Sequence, residues 1–427
     1  MDIIIRPNEV FTVWDELETL ILAPPGLNRE ARQRTLEYLW TWCRCGVYVR
    51  IAEGRLVSFI PFANPNFINN WGLRELLPAN REDWPAEAIA LGALEPEKWW
   101  CNAGVLCTQV FDPDEIWSTT LFPEFAALFA NAAWWVPPQV DVEVFLNKRD
   151  FPNVRHDGKD PYGATFFGKL EQVVAPSSLL PPPSSVVESV HLLPVLSCFV
   201  GPDFADVPIP LAQDHAREDW YPLWASKEEF ERDWALRAPR AIFRGSATGC
   251  GCSSQLNPRL ALLEMTASDT THFDVRITGR NQRIRKHPNE QALRCLPRAQ
   301  HRERDDWLTM DQQRVRCRFA ICIEGHSATG RLAELLRNGF LVFLIKTVVA
   351  PANTLFYTDW LVEGRHVVRC RLEELPRLVR RYASYAHSRA ATDIAWEATR
   401  FHARWLVPTE LEKQLGRTLI HIAASTE

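Results

Sequence analysis

The sequence has no apolar run approaching the ~20 residues that a membrane-spanning helix needs, although hydrophobic residues make up 46% of it and charged ones 24%. A soluble globular protein is expected. A cationic surplus is also missing: 48 Lys and Arg stand against 53 Asp and Glu, for a formal net charge of −5. That balance excludes a general nucleic-acid binder, which needs a positive surface facing phosphates. Any anion site must be local. The start of the chain lacks a signal-peptide core, because Met1 to Pro25 intersperses its apolar residues with Arg6, Glu9, Asp15, Glu16 and Glu18. A cytoplasmic location is expected. Paired Cys-x-x-Cys zinc spacings are absent as well. The eleven cysteines include Cys43 with Cys45 and Cys250 with Cys252, each pair one residue apart, and read as reduced, mostly buried thiols. No Gly-x-x-x-x-Gly-Lys-Ser/Thr occurs, so a P-loop phosphotransferase lacks the Lys its chemistry uses.

At 427 residues the chain is long enough for two domains. Most of the 17 tryptophans, among them Trp40, Trp42, Trp71, Trp99, Trp100, Trp134 and Trp135, fall in the first 235 residues, beside many prolines. This half looks loop-rich, and its indoles either fill a core or stack on the apolar faces of sugar rings. Ala175 to Ser185 is a Pro/Ser-rich breaker that joins neither a central strand nor a helix interior. A second punctuated stretch, Asp206-Val-Pro-Ile-Pro210, marks the boundary between lobes. Beyond it β-branched runs alternate with helical segments: Ala241 to Phe243, Pro258 to Met265, Phe273 to Ile277. A clearer cycle follows, with a strand at Phe319 to Ile323, a helix at Arg331 to Arg337 closed by Asn338-Gly339, and a strand at Phe340 to Ile345. Such alternation implies a parallel sheet whose ligands sit at the carboxyl ends of its strands. Leu372 to Leu415 reads as terminal helices.

Two loops at strand ends have the composition of an anion cradle. In Glu324-Gly-His-Ser-Ala-Thr-Gly-Arg331, Ser327, Thr329 and Gly330 can cap a helix and let its free N–H groups approach a phosphate, while Arg331 adds a planar cation. An ordinary capped helix would look similar, but a cation in the first turn opposes the helix dipole, which favours a bound anion. Ile242-Phe-Arg244-Gly-Ser-Ala-Thr-Gly249 repeats the pattern, so Arg244 and Arg331 could clamp a pyrophosphate from one sheet edge. A third segment, Asp141 to Pro152, is a strand ending in a turn that carries Asp150, either as a turn-former paired with Lys148 or Arg149 or as a catalytic carboxylate. Asp112-Pro-Asp114 has the Asp-x-Asp form of a metal motif, although Asp114 also reads as a helix cap.

Taken in order between Asn64 and about Arg371, these motifs resemble family 90 glycosyltransferases, the Rumi-like protein O-glucosyltransferases and the capsule-associated xylosyltransferases. Asn147-Lys-Arg-Asp-Phe-Pro152 is similar to that family's Asn-x-Arg-Asp-Tyr/Phe-Pro turn, and Phe243 to Thr248 to its aromatic-Arg-Gly-Ser-x-Thr loop. Ser327 and Arg331, ahead of Gly339-Phe-Leu-Val-Phe343, fit its second donor loop. Asn64 to Gly72, Asp160-Pro-Tyr162 and Asp206 to Pro210 look like segments of the forms encoded by large DNA viruses, which would place the protein in a host cytoplasm. Cys250-Gly-Cys252 departs from the secretory members.

The resemblance implies an α/β fold of GT-B type, with two Rossmann-like lobes, the active site in the cleft between them, and C-terminal helices. Residues 1–205 would form an acceptor-side lobe, 206–385 a nucleotide-sugar lobe, and 386–427 helices that pack back on the first. Asp150 would be the catalytic base, and Arg244, Gly245, Ser246, Thr248, Ser327, Gly330 and Arg331 would bind the donor, with no metal and no cofactor. The expected reaction is inverting transfer of glucose or xylose from a UDP-sugar to a hydroxyl of a glycan or glycoprotein, with no nucleic-acid partner. The alternative is a non-catalytic nucleotide- or sugar-binding protein with the same fold.

Overall fold

The computed structural model describes residues 3–24, 28–64, 121–156, 192–218, 220–248, 254–255, 257–278, 307–325, 327–346 and 354–425, with the backbone alone at 99–100, 249–250, 284–285, 296–297, 301–302 and 426. Two six-stranded sheets organise the chain. The first contains β1 (Ile4–Ile5), β2 (Cys45–Ala52), β3 (Arg55–Ala63), β4 (Val142–Leu146), β5 (Val195–Ser197) and β6 (Val207–Pro208), in the order β1-β3-β2-β4-β5-β6. It is mixed, because β2 runs antiparallel to both β3 and β4 while the remaining pairs are parallel. The β2–β3 hairpin turns at Glu53-Gly54, both with positive φ (52° and 68°), the backbone twist that a tight hairpin requires.

Successive side chains of a strand point to opposite faces. Val47, Val49 and Ile51 therefore pack with the helix α2 (Leu121–Ala133), through Phe122, Phe125 and Phe129. Tyr48 joins Leu36 and Tyr38 of α1 (Arg29–Tyr38) on the other side. The described residues of the first half are thus built on a sheet covered on both faces. β6 belongs to this sheet, so the first lobe runs past the 205/206 boundary expected from the sequence.

The second sheet contains β7 (Ala238–Gly245), β8 (Phe273–Thr278), β9 (His301–Arg302), β10 (Cys317–Cys322), β11 (Leu341–Lys346) and β12 (Val368–Arg371). All its pairs are parallel and its order is β9-β8-β7-β10-β11-β12. Numbered within the sheet this is 3-2-1-4-5-6, the Rossmann order, whose direction of winding reverses between strands 1 and 4. Here those strands are β7 and β10.

Helices alternate with these strands, and several are bounded by side chains the sequence specifies. Ser226 caps α4 (Lys227–Leu236), which follows the one-turn helix α3 (Ala212–His215). Asn257 caps α5 (Pro258–Thr266), with Pro258 in the first turn. Thr309 and Gln312 form a capping box on α6 (Met310–Arg316). α7 (Leu332–Arg337) stops at Gly339, whose φ of 63° and nearness to Phe230 and Trp224 leave no room for a side chain.

α8 (Leu375–Ala383) and α9 (Ser388–Trp405) stay with the second sheet, where Val379, Ala391, Ile394 and Ala395 share a core with Phe343 and Val368. After Leu406 the chain changes sides. Leu411, Leu415, Leu419 and Ile422 of α10 (Pro408–Thr426) pack in the same cluster as Val47, Val49 and Phe129. A Cβ at Gly416 would lie 2.7 Å from Trp135 Cβ. That one apolar cluster also reaches Ile242, Ala320 and Leu335 of the second lobe. Val200 and Thr354 exchange backbone hydrogen bonds of 3.0 and 2.8 Å, a further tie between lobes. The α/β fold with two sheet-based, Rossmann-like lobes and terminal helices is the architecture anticipated from the sequence.

Candidate functional site

The two small polar loops leave the carboxyl ends of β7 and β10, the adjacent strands at which the winding of the second sheet reverses. In doubly wound sheets this is the place where a crevice opens for ligands. The loops are in contact: a Cβ on Gly325 would collide with Thr248 Oγ1 and lie 2.9 Å from Arg259. Only glycine permits that approach.

Arg259, on the first turn of α5, lies beneath both loops. Its Nη1 donates to Ser246 O (2.8 Å) and Thr248 Oγ1 (2.5 Å), and its Nε and Nη2 to Glu324 O (2.9 Å) and Ile323 O (3.2 Å). Asn257, fully buried, donates to Ala247 O (3.1 Å) while capping α5, which pins the first loop from the same side. Arg331, at the head of α7, donates to the Arg244 carbonyl oxygen. Both cations are half-buried, and each is easier to deprotonate than usual. Desolvation and then the charge of Arg331 pull Arg259 down to about 10; desolvation is the main cause for Arg331, partly offset by Glu334. The switch point is therefore electropositive, and a bound anion would relieve both guanidiniums.

Arg244 is placed differently from the clamp drawn on the sequence. Its guanidinium turns along the sheet, donating to Asp274 Oδ1 (2.8 Å), Asp274 O (2.7 Å) and Phe243 O (3.0 Å). What reaches Arg331 is its carbonyl. The second guanidinium between the loops belongs to Arg259, which the sequence reading overlooked although Asn257-Pro258 signals a helix start with a cation in its first turn. Gly245 continues β7, Ser246 and Thr248 are half-buried, and Ser327 is buried with its hydroxyl 3.3 Å from Ala328 O. A Cβ on Gly330 would lie 3.1 Å from Leu211 Cδ1.

Asp150 is exposed at the tip of the turn that follows β4. The turn is held from several directions. Asn147 accepts from Arg149 N (2.7 Å), donates to Ser197 Oγ (2.9 Å), and donates to the Phe151 carbonyl. The buried Arg149 guanidinium is fastened to Cys43 O at 2.8 and 3.1 Å, so Arg149 anchors the turn rather than pairing with Asp150. Behind it, Asp206 accepts from Asn153 N, Val154 N (both 2.7 Å) and Ser197 Oγ (2.5 Å). Asp150 and Asp214 both push the neighbouring Cys198 thiol upward, after burial.

Trp40 is 5% exposed and packs edge-on against Trp14 at 5.6 Å, so it fills the core; Trp134, at 85%, does not. Asp112, Asp114, Asp160, Tyr162, Trp71, Cys252, His326 and the stretch 65–72 lie outside the described residues. Among the described residues, six cysteines are buried free thiols, no cluster of His, Cys, Asp or Glu could hold a metal, and no helix is long and apolar enough to cross a membrane.

No family model matches the chain, so the family 90 resemblance rests on the motifs. Three viral proteins are similar to it. Uncharacterized protein 035R of Invertebrate iridescent virus 3 is 26% identical over 423 residues, covering 91% of this chain and 36% of that protein. Uncharacterized protein 179R of Invertebrate iridescent virus 6 is 25% identical over 410 residues (83% and 33%), and uncharacterized protein 027R of Frog virus 3 (isolate Goorha) 27% over 341 (75% and 34%). The chain spans about a third of the length of these relatives. Among solved structures, it is similar to Anabaena Alr3699/HepE in complex with UDP and glucose (12% identity, 45% of this chain and 51% of that one, TM-score 0.27). It is also similar to WaaG, a glycosyltransferase involved in lipopolysaccharide biosynthesis (10% identity, 64% and 63%, TM-score 0.29).

Proposed function

We propose that this chain is a nucleotide-sugar-dependent glycosyltransferase of GT-B type that moves a sugar from a UDP-sugar to a hydroxyl of a glycan or protein, with inversion and without a metal. The observation that carries the reading is the pair of half-buried cations, Arg259 and Arg331, between two small polar loops at the switch point of a Rossmann-ordered sheet. Such a site suits a diphosphate, since backbone N–H groups and fixed guanidiniums favour the charge that develops as the sugar leaves. Ser246, Thr248, Ser327, Gly330 and Arg331 would contact the donor. Arg244 and Gly245 would shape the first loop.

Asp150 would accept the proton of the acceptor hydroxyl as its oxygen bonds to the anomeric carbon, while the bond from that carbon to the diphosphate oxygen breaks on the opposite face. A carboxylate suffices because the proton need move only late, as the C–O bond breaks. The segment from Val195 to Leu211 supports a shared site, because Ser197 and Asp206 hold the Asp150 turn and Leu211 lies where a side chain at Gly330 would meet it. Glucose and xylose are the leading sugars by resemblance. The test is a donor-hydrolysis screen across UDP-, GDP- and other nucleotide sugars, with and without chelator. UDP-sugar hydrolysis that survives chelation is expected. Binding without turnover would make the chain a non-catalytic nucleotide-sugar binder, and strict manganese dependence would bring in Asp112 and Asp114.

A further inference from the structure

The Asp206-Val-Pro-Ile-Pro210 segment is not explained by donor binding, yet Asp206 is the most heavily bonded carboxylate near Asp150. Its side chain is 6% exposed and accepts hydrogen bonds from the backbone of Asn153 and Val154 and from the Ser197 hydroxyl. The same turn is held from its other end by Asn147, which donates to Ser197 Oγ. Asp206 and Asn147 thus grip the turn through one shared hydroxyl, with Asp150 projecting between them.

We propose that Asp206 is a positioning residue for Asp150: its carboxyl group, gripping two amides of the turn and the Ser197 hydroxyl, holds the Asp150 turn in working geometry. The inference rests on the glycosyl-transfer reading above and adds a control to it. Two backbone N–H donors and one hydroxyl converge on its two oxygens: Ser197 faces it from β5, and Asn153 and Val154 from the turn. Without the carboxyl group these buried donors would be left unpaired. Burial prevails over the hydrogen bonds and raises Asp206 to about 6, so the closed turn binds the proton more tightly than an opened one would and the grip persists in mild acid. The donor loops, on the other sheet, do not depend on it.

The experiment compares the wild type with Asp206→Asn and Ser197→Ala, using UDP-glucose hydrolysis from pH 5 to 8, calorimetric UDP binding, and amide exchange at Asn153 and Val154. Asn keeps one accepting oxygen, so Asp206→Asn should fold. Its kcat should fall by ~10-fold or more, the scale expected of a misplaced catalytic group, with UDP affinity unchanged. Ser197→Ala removes the hydroxyl that joins Asp206 to Asn147, so its kcat should fall in the same way, again with UDP affinity unchanged. Wild-type kcat in both variants would overturn the proposal. If the wild type hydrolyses no nucleotide sugar, the transferase reading fails by itself. The exchange data still decide the role of Asp206: Asp206→Asn keeps only one accepting oxygen, so protection of the Asn153 and Val154 amides should drop in that variant, and wild-type protection would refute it.

Discussion

Replacing Arg331 by alanine separates a ligand-binding arginine from a structural one. Arg331 is half-buried, lies within the repulsive field of Arg259, and gives one hydrogen bond to the Arg244 carbonyl. Removing it forfeits about 1 kcal/mol for that bond. It also ends the burial of a charge and the repulsion, so the two effects offset and folding stability should change by no more than about 1 kcal/mol, a few degrees in melting temperature. Binding should respond otherwise. A charge-assisted contact to phosphate contributes about 1.5–3 kcal/mol, and at about 1.4 kcal/mol per decade UDP affinity should drop roughly tenfold to a hundredfold. Arg331→Lys should restore part of this, since one ammonium cannot reproduce the planar fork. Arg259→Ala is the contrasting case. It removes the same charge but strands the acceptors on Ser246, Thr248, Ile323 and Glu324, at about 1–3 kcal/mol for each that stays dry. That variant should be badly destabilised. Calorimetric titration of UDP with thermal melts decides the matter: if Arg331→Ala keeps wild-type affinity and loses several kcal/mol of stability, Arg331 is structural and the donor loop is misassigned.

Asp150→Asn should leave UDP affinity within a few-fold of wild type while lowering transfer by ~10²-fold or more, the scale of a lost general base; full transfer in this variant would remove Asp150 from the mechanism. Gly325→Ala forces a methyl group into Thr248 Oγ1 and Arg259, so UDP affinity should fall through separation of the loops, and an unchanged titration would show that their contact is dispensable. Asp206 gives a stability signature of defined sign. Its value rises from 3.8 to about 6 on folding, so its contribution is greatest below pH 3.8 and is lost as pH rises through 6, by about 3 kcal/mol at 1.36 kcal/mol per unit. Denaturant titrations from pH 4 to 7 should show that slope in wild type and not in Asp206→Asn.

The second lobe is legible in the sequence because its local signals agree with one another. Asn257-Pro258, the Thr309–Gln312 pair and Gly339 each mark a helix end with a residue whose side chain or backbone freedom the end requires. Between them lie short β-branched runs that have no other use than a buried parallel strand. The first lobe gives no comparable pattern. Cys45–Ala52 is buried at every position, so the alternation that betrays a half-exposed strand is missing, and its polar members escape notice because they are satisfied internally. Arg50 pairs with Asp141 at 2.6 Å, and Tyr48 donates to Glu143 at 2.9 Å. A strand of this kind reads as irregular sequence until its partners are known.

Site residues divide along a similar line. Arg331 and Asp150 stand out because each sits in a motif of small or turn-forming neighbours. Arg259 and Asp206 do not, because what they hold is backbone from other segments: carbonyls 13 and 65 residues away for Arg259, amides 52 and 53 residues away for Asp206. Contacts to a backbone atom put no constraint on the residue type at the far end, so no pair of side chains in the sequence announces them. Only topology does. Once β7 and β10 are adjacent, their loops share one space, and a cation lying under them satisfies the carbonyls that both loops turn toward it. The same logic makes Arg259 a scaffold whose removal breaks the site and Arg331 the cation left with capacity to spare, which is why the two arginines, equal in charge and neighbours in space, should part company so sharply in a melt and in a titration.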